Sequence, residues 1–163
     1  MNSAQELALF VENNQERFYR IAYTYVKSRE DALDVIHDAI VKALQSYHTL
    51  RRPEYAKTWF YRILINECNS FLRKNRRLLS WEDGLAQQAS ENLFDIYKDE
   101  YIDLYAAVKK LSPDMKTVVV LRFFEEMKLE EIAEITSTNL DTVKSRMRRA
   151  LNYLKLDIEV LEL

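Results

Sequence analysis

The chain has 163 residues, of which 48% are hydrophobic, and a formal net charge of −2. This length provides one ordinary domain or two small ones, each with its own hydrophobic core. The only cysteine, Cys68, excludes an internal disulfide and a cysteine-based zinc site, and the only glycine, Gly84, excludes the glycine-rich loops that bind nucleotide phosphates. No apolar stretch approaches the roughly 20 residues of a membrane span, and the polar N-terminus lacks the layout of a signal peptide, so we expect a cytosolic protein.

Charge is distributed unevenly along the chain. Residues 57–77 contain six basic residues and one acidic residue, a net charge of +5, whereas residues 82–103 contain seven acidic residues and one lysine, a net charge of −6. Residues 141–155 contain five basic residues and one acidic residue, a net charge of +4. Because two basic segments flank an acidic one, the small overall charge does not argue against nucleic-acid binding.

The first half of the chain predicts three helices. Apolar residues at helical spacing indicate a first core helix over residues 7–25 and a second helix over residues 32–47. A break before Pro53 separates the second helix from a third over residues 54–75, because the residue before a proline is biased away from the helical conformation. The apolar stripe of the second helix comprises Ala32, Val35, Ile36, Ala39, Ile40, Ala43, Leu44 and Tyr47.

Residues 78–100 lack helical periodicity and are acidic, which predicts a linker between a first domain of residues 1–77 and a second domain of residues 101–163. Two interpretations of the acidity stay open, a solvated linker or a segment that lies in a positively charged channel meant for nucleic acid. Because glycine and proline are scarce, we predict an all-α protein of two small helical domains joined by an acidic linker.

A helix start is predicted at Ser112, Pro113 and Asp114. Serine caps a helix N-terminus, proline suits the first helical position, and an acid is favourable at the positive end of the helix dipole. Residues 117–121 have the β-branched composition of a strand, but the cap and the helical context favour a helix.

Residues from 129 onward predict a helix-turn-helix. A short helix over residues 129–135 precedes a four-residue break and a second helix, which Thr138 is predicted to cap with Asp141 three residues later. The predicted buried stripe of the second helix comprises Leu140, Val143, Met147, Ala150, Leu151 and Leu154. The predicted exposed side comprises Lys144, Ser145, Arg148, Arg149 and Asn152, with Arg146 on its flank. Such a face suits a helix in the major groove of duplex DNA, the alternative being a solvated basic face.

Two further helix faces carry candidate binding residues. On the third helix, Trp59, Arg62, Asn66, Asn69 and Arg73 recur at steps of three and four. The opposite side is apolar and comprises Phe60, Leu64, Cys68, Phe71 and Leu72, which predicts a buried cysteine. Aromatic, amide and basic groups together suit single-stranded or melting DNA, although Trp59 alone is more often a core residue. The second helix presents Asp31, Asp34, His37, Asp38 and Val41 away from its apolar stripe. This mixture of acidic and apolar groups indicates a protein-docking face.

Three stretches resemble those of one family, the extracytoplasmic-function (ECF) sigma factors of the sigma-70 type. Residues 30–44, EDALDVIHDAIVKAL, resemble the polymerase-binding helix of these factors, and residues 57–77, KTWFYRILINECNSFLRKNRR, resemble their minus-10 element helix. Residues 129–150, LEEIAEITSTNLDTVKSRMRRA, resemble their minus-35-reading helix-turn-helix. The resemblance implies a factor that binds core RNA polymerase and directs promoter-specific initiation, with no catalytic residue, cofactor, metal or small-molecule substrate.

The resemblance also implies a role for each residue set. Docking on the coiled coil of the polymerase largest subunit would use Asp34, His37, Asp38 and Val41. A loop would capture a flipped minus-10 base with His48, Arg51, Arg52 and Tyr55, and the separated strand would lie on Trp59, Arg62, Asn66, Asn69 and Arg73. Minus-35 duplex would be read by Thr142, Lys144, Ser145, Arg146, Arg148 and Arg149. The linker would thread toward the RNA exit path, and an anti-sigma factor, often membrane-bound, would hold the protein inactive until an envelope stress releases it.

Four positions depart from the family pattern. His37 stands where the family usually has glutamine, Leu33 stands where an acid is common, and Ser137 and Asp141 replace glycines usual around the recognition turn. None of these departures removes a basic contact.

Two other functions stay open on sequence grounds. A helix-turn-helix regulator would bind duplex DNA without polymerase and would dimerise on a palindrome. A metal-dependent helical enzyme would use Asp34, His37 and Asp38 as ligands on one helix turn and would lose its activity to a chelator, although His48 lies apart and no second cluster completes the site.

Overall fold

The computed structural model describes residues 4–26, 28–81 and 102–162, with side chains described for residues 4–26, 28–75 and 104–155. Every regular element in these ranges is helical, which confirms the all-α prediction. The chain divides between residues 77 and 78 into two compact units. The predicted linker falls mostly on residues 82–101, outside the described residues, and its two interpretations stay predictions.

The N-terminal unit contains α1 (Ala4–Asn13), α2 (Gln15–Tyr23), α3 (Arg29–Ser46) and α4 (Ala56–Trp81) up to residue 77. Two 3₁₀ turns, Tyr47–Thr49 and Pro53–Tyr55, lie between α3 and α4. The third helix thus extends to Trp81, beyond the predicted end at residue 75. Ser28 is the N-cap of α3. Its hydroxyl oxygen accepts a hydrogen bond of 3.1 Å from the backbone N–H of Asp31.

The prediction of one helix at the N-terminus is wrong, because the chain breaks at Asn14. The side-chain amide of Asn14 donates to the backbone carbonyl of Phe10 at 2.7 Å. An asparagine that bonds to nearby backbone competes with the helical hydrogen bonds, and this competition accounts for the separation of α1 from α2.

Aromatic rings from three helices form the core of the N-terminal unit. The Phe18 ring of α2 lies 4.9 Å from the Phe60 ring of α4 and 5.5 Å from the Tyr61 ring, centroid to centroid. Phe10 of α1 packs edge-on against Phe18 at 5.8 Å. Phe18, Phe60 and Tyr61 are at most 1% exposed, and Cys68 is fully buried, as its apolar helical position predicts. Such ring pairs contribute about 0.5–1.5 kcal/mol each beyond the area that they bury.

The C-terminal unit contains α5 (Ile102–Lys109), α6 (Pro113–Val119), a π-helical segment (Val120–Phe124), α7 (Leu129–Thr136) and α8 (Leu140–Glu162). The predicted cap is confirmed, since the Ser112 hydroxyl oxygen accepts from the backbone N–H of Met115 at 3.5 Å. Residues 117–121 are helical and buried despite their strand-like composition. A helical start capped at Ser112 and a completely buried environment override intrinsic β-propensity here.

A short loop connects the π-helical segment to α7. The guanidinium Nη1 of Arg122 donates to the backbone carbonyl of Met127 at 2.9 Å, and Glu126 between them adopts a positive φ of 55°. The Glu131 carboxylate accepts from the backbone N–H of Lys128 at 3.3 Å and thereby satisfies a donor at the start of α7. Among the described residues, no helix has both the length and the apolarity that crossing a membrane requires.

Candidate docking and nucleic-acid interfaces

The solvent-facing side of α3 brings together four of the predicted residues. Asp34, His37 and Asp38 are exposed, and Val41 is 37% exposed. The opposite side of the helix buries Ala32, Val35, Ile36, Ala39 and Ala43, as predicted. We call the surface formed by Asp34, His37, Asp38 and Val41 the docking face.

Two leucines widen the apolar part of this surface. Leu33 is 57% exposed, and Leu44 is 46% exposed although it belongs to the predicted apolar stripe. Two other members of that stripe, Ile40 and Tyr47, are half-buried. Leu44 lines a cavity of about 300 Å³ with Leu7 of α1 and Ala43 of α3. The Leu44 side chain thus borders a cavity between α1 and α3 and is not packed into the core. Leu33 lies outside the apolar stripe of this helix in the sequence. An apolar residue at such a position was the sequence signal that the docking face has an apolar part.

An ion pair joins α3 to α4 beside the docking face. The ammonium of Lys42 contacts the Glu67 carboxylate, and the Glu67 side chain is only 11% exposed whereas that of Lys42 is 59% exposed. Glu67 is the one acidic residue among residues 57–77. Its pairing shows that this acid connects two helices, a role that sequence reasoning missed.

The outward side of α4 carries the predicted aromatic, amide and basic residues. Arg62, Asn66 and Arg73 are exposed, while Trp59 and Asn69 are half-buried. The opposite side buries Phe60, Leu64 and Cys68 as predicted, and also Tyr61 and Ile65. We call the surface formed by Trp59, Arg62, Asn66, Asn69 and Arg73 the α4 face.

The loop before α4 presents the four residues for which the family resemblance implies base capture. His48, Arg51, Arg52 and Tyr55 are all exposed. The guanidinium carbon of Arg52 lies 5.9 Å from the centroid of the Tyr55 ring, within cation–π range. We call residues 48–55 the 48–55 loop. The loop and the α4 face belong to the same unit and are continuous in sequence.

The turn of the helix-turn-helix is built around Ser137. This residue ends α7 in the left-handed conformation, with φ 55° and ψ 41°, and the backbone N–H of Thr138 donates to the carbonyl of Ala133 at 3.1 Å. A left-handed residue at this position is usually glycine, because a side chain is disfavoured there. The structure thus gives a physical reason for the glycine that the family pattern places around this turn.

The cap of the second helix differs from the prediction. The Oδ1 of Asn139, not the hydroxyl of Thr138, accepts from the backbone N–H of Thr142 at 2.8 Å. Thr138 instead shares a hydrogen bond of 2.8 Å with the hydroxyl of Thr136. The prediction of Thr138 as the cap is wrong, because α8 begins one residue later, at Leu140.

The outward side of α8 combines exposed and half-buried polar groups. Lys144, Arg148 and Arg149 are exposed, and Thr142, Ser145 and Arg146 are half-buried. Arg146 differs from the other basic residues because its guanidinium lies 3.6 Å from the Asp114 carboxylate of α6 and its side chain is 20% exposed. We call the surface formed by Thr142, Lys144, Ser145, Arg146, Arg148 and Arg149 the α8 face.

The inward side of α8 follows the predicted stripe at four of its six positions. Val143, Met147, Ala150 and Leu154 are buried, and Leu140 is half-buried. Leu151 is 43% exposed, so its predicted burial is wrong. Leu151 lines an apolar cavity of about 420 Å³ with Leu104, Val119, Phe123, Phe124, Leu154 and Lys155. The Leu151 side chain therefore borders this cavity and is not packed into the core.

Metal ligands do not converge in the parts of the chain that the structure describes. There, no three His, Cys, Asp or Glu side chains are close enough to hold an ion together. The metal-enzyme interpretation of Asp34, His37 and Asp38 therefore gains no support from the geometry.

Family comparisons decide between the remaining interpretations. A model of sigma-70 region 2 matches residues 10–78, and a model of sigma-70 region 4 matches residues 101–154. The RNA polymerase sigma factor SigV of Bacillus subtilis is 43% identical over 152 residues, which cover 93% of this chain and 90% of the relative. The chain belongs to the ECF group of the sigma-70 family.

Another relative of this sigma factor is the ECF RNA polymerase sigma-E factor of Haemophilus influenzae, 31% identical over 166 residues that cover 94% of this chain and 87% of the relative. The region 2 match contains the docking face, the 48–55 loop and the α4 face. The region 4 match contains the helix-turn-helix and the whole α8 face. This sigma factor is therefore a transcription initiation factor for RNA polymerase.

Two solved structures have a similar fold. The sigma factor RpoE, crystallised with the anti-sigma factor NepR from Bartonella quintana, superposes with a TM-score of 0.75 at 23% identity, covering 96% of this chain and 98% of the other. CnrH in complex with the cytosolic domain of CnrY superposes with a TM-score of 0.69 at 19% identity, covering 98% of this chain and 91% of the other. At these identities the likeness concerns the fold.

Proposed function

We propose that this sigma factor docks on core RNA polymerase through the docking face of α3. The carboxylates of Asp34 and Asp38 are exposed beside Val41 and the two exposed leucines, Leu33 and Leu44. An acidic rim around apolar area suits a partner surface with basic and apolar side chains, and the coiled coil of the polymerase largest subunit is the partner that family membership implies.

The 48–55 loop and the α4 face then bind the minus-10 element as a separated non-template strand. Arg62 and Arg73 are exposed and can hold the phosphate backbone, and Asn66 between them can read a base edge. Trp59 is half-buried, and its ring is the group on which an unpaired base would stack. The loop residues His48, Arg51, Arg52 and Tyr55 capture a flipped base.

The α8 face reads the minus-35 element as duplex DNA. Lys144, Arg148 and Arg149 are exposed on a helix whose opposite side is buried in the unit, which is the geometry of a recognition helix in the major groove. Arg146, held against Asp114, contributes to the position of the helix as well as to its charge.

An anti-sigma factor regulates this protein in the proposed scheme. Two sigma factors of similar fold were crystallised with anti-sigma proteins, NepR and the cytosolic domain of CnrY. The protein works in the cytoplasm, held at the inner face of the membrane by an anchored anti-sigma factor until an envelope stress releases it. It acts by binding alone and uses no catalytic residue, cofactor or small-molecule substrate.

The observation that carries the proposal is the placement of two exposed faces of different chemistry on adjacent helices of one unit. The docking face is acidic and apolar, the α4 face is basic and aromatic, and the Lys42–Glu67 ion pair joins the two helices. A protein that binds polymerase and opens DNA beside it needs both chemistries at a fixed spacing.

Run-off transcription with purified core polymerase on a pool of promoter fragments tests the proposal. The reactions contain wild-type protein, the variant Asp34→Arg/Asp38→Arg, or no sigma factor. Glu16→Arg, a charge reversal at an 81% exposed side chain on α2, serves as the matched control. We expect protein-dependent transcripts from a few templates, which Glu16→Arg retains and the double variant loses together with its affinity for core polymerase.

Two results would contradict the proposal. Transcription that the double variant supports as well as the wild type would remove the docking face from polymerase binding. Specific duplex binding by the protein alone, without any protein-dependent transcript, would instead favour a helix-turn-helix regulator.

A further inference from the structure

A ring contact joins the start of the 48–55 loop to the α4 face. The Tyr47 ring packs edge-on against the Trp59 ring, with centroids 6.2 Å apart and planes inclined at 67°. Both residues are half-buried. Tyr47 belongs to none of the residue sets that the sequence assigned to binding.

Tyr47 occupies the position from which the loop departs. It is the first residue of the 3₁₀ turn Tyr47–Thr49, and its carbonyl accepts from the backbone N–H of Leu50 at 3.1 Å. At the far end of the loop, the Arg52 guanidinium lies over the Tyr55 ring. The Arg52–Tyr55 contact lies within the loop, whereas the Tyr47 contact joins the residue before the loop to Trp59 in the first turn of α4.

On the basis of the proposed function, we infer that Tyr47 is a positioning residue for minus-10 recognition. Its ring holds Trp59 in one orientation and holds the start of the 48–55 loop against α4. The two parts of the minus-10 surface are therefore placed relative to each other before DNA arrives. Tyr47 acts through Trp59 and the loop, and contact between its own ring and the DNA is not required.

The physical basis is pre-organisation. A loop and a tryptophan that are already ordered lose less conformational entropy when a strand binds. An edge-to-face pair contributes about 0.5–1.5 kcal/mol, which corresponds to roughly 2- to 10-fold in an equilibrium constant. We therefore expect loss of the Tyr47 ring to weaken binding of single-stranded minus-10 DNA by about this factor.

The test measures how the full-length protein, bound to core polymerase, binds a fork-junction template. In this template the non-template strand of the minus-10 element is single-stranded. Its sequence is taken from a promoter recovered by run-off transcription. The variants are Tyr47→Leu, which removes the ring, Tyr47→Phe, which keeps it, and Trp59→Leu, which removes the proposed stacking residue. Tyr19→Leu is the matched control, since Tyr19 is also half-buried in this unit and its ring lies 6.1 Å from that of Tyr23.

We expect Tyr47→Leu and Trp59→Leu to weaken fork-junction binding by about 2- to 10-fold, and Tyr47→Phe and Tyr19→Leu to match the wild type. Affinity for core polymerase should be unchanged in all four variants. Acrylamide quenching adds a second readout, because Trp81→Phe leaves Trp59 as the only tryptophan and Tyr47→Leu should increase its quenching. If Tyr47→Leu does not fold, Tyr47→Gln replaces it, since a half-buried position accepts a polar side chain.

The outcomes separate this inference from the proposed function. Wild-type binding by Tyr47→Leu together with weak binding by Trp59→Leu would overturn the role of Tyr47 and leave the α4 face in place. Wild-type binding by both variants would overturn the role of Tyr47 and remove Trp59 from minus-10 recognition as well. Equal losses in Tyr47→Phe and Tyr47→Leu would assign the effect to the hydroxyl and overturn positioning by the ring.

Discussion

The ion pair between Lys42 and Glu67 should contribute more to stability than its partly exposed position suggests. Replacing Lys42 by methionine keeps most of the alkyl chain and removes the ammonium. The Glu67 carboxylate, only 11% exposed, would then lose its cationic partner while remaining between α3 and α4. The substitution thus tests the cost of leaving a mostly buried carboxylate without a partner.

Two limits bracket the size of this effect. Ion pairs between fully exposed charges contribute about 0.2–1 kcal/mol. Removing the partner of a fully buried charge costs about 3–5 kcal/mol. Because Glu67 is mostly buried and Lys42 is 59% exposed, we expect Lys42→Met to lower the free energy of unfolding of the N-terminal unit by about 1–2 kcal/mol.

Urea unfolding of the full-length protein measures this loss. In a Trp81→Phe background, the fluorescence of Trp59 reports on the N-terminal unit alone. With a slope of about 1–2 kcal/mol per molar urea, the midpoint should fall by about 1 M. Lys57→Met, the same change at an exposed lysine of α4, should stay within about 0.5 kcal/mol of the wild type.

A double-mutant cycle with Glu67→Gln isolates the pair itself. We expect a coupling energy of about 1 kcal/mol between positions 42 and 67, because each single change removes the same contact. Additive effects within about 0.3 kcal/mol, or a Lys42→Met midpoint equal to that of Lys57→Met, would refute the reasoning from burial.

Three further predictions concern the C-terminal unit. Ser137→Gly should stabilise the C-terminal unit by about 0.5–1 kcal/mol, because glycine adopts the left-handed conformation without steric cost. Thermal unfolding followed by circular dichroism measures this gain, and a lower melting temperature would contradict it. Asn139→Ala should lower the free energy of unfolding by about 1 kcal/mol in the same assay, because it removes the helix cap. Thr138→Ala should lower it by less. The reverse order would show that Thr138 is the cap. If Arg148 or Arg149 reads a base, its replacement by alanine should cost the holoenzyme about 1–3 kcal/mol of binding free energy at that one promoter position. If the arginine contacts a phosphate, the replacement should weaken binding equally on all sequences and lower the slope of log affinity against log salt concentration by about 1.

The faces of the long helices followed from local periodicity. Spacing at three and four residues placed Asp34 and His37 on the outside of α3 and Arg62 and Asn66 on the outside of α4, and the structure exposes all four. The same reasoning predicted the Ser112 cap and the burial of Cys68. Such features depend on neighbours within about one or two helical turns, which the sequence displays directly.

Local hydrogen bonds at helix ends were less predictable. Several polar residues near one another compete for the same backbone donors, and small differences in geometry select one of them. The turn at 136–139 illustrates this, because Thr138 and Asn139 are both good caps and the structure uses Asn139. Asn14 likewise ended α1 through a bond to Phe10 that the apolar spacing across it did not reveal.

The sequence alone predicted the helical fold, the order of the two units and the exposed charged faces, because each depends on composition or on the spacing of residues close together in the chain. Packing between helices decided which apolar residues are buried and which side chains from separate elements meet. Leu44 and Leu151 have apolar spacing yet remain exposed, and each borders a cavity between the described helices. The Lys42–Glu67 and Tyr47–Trp59 contacts join residues from separate elements, so they arise only when folding brings α3 and the turn that follows it against α4.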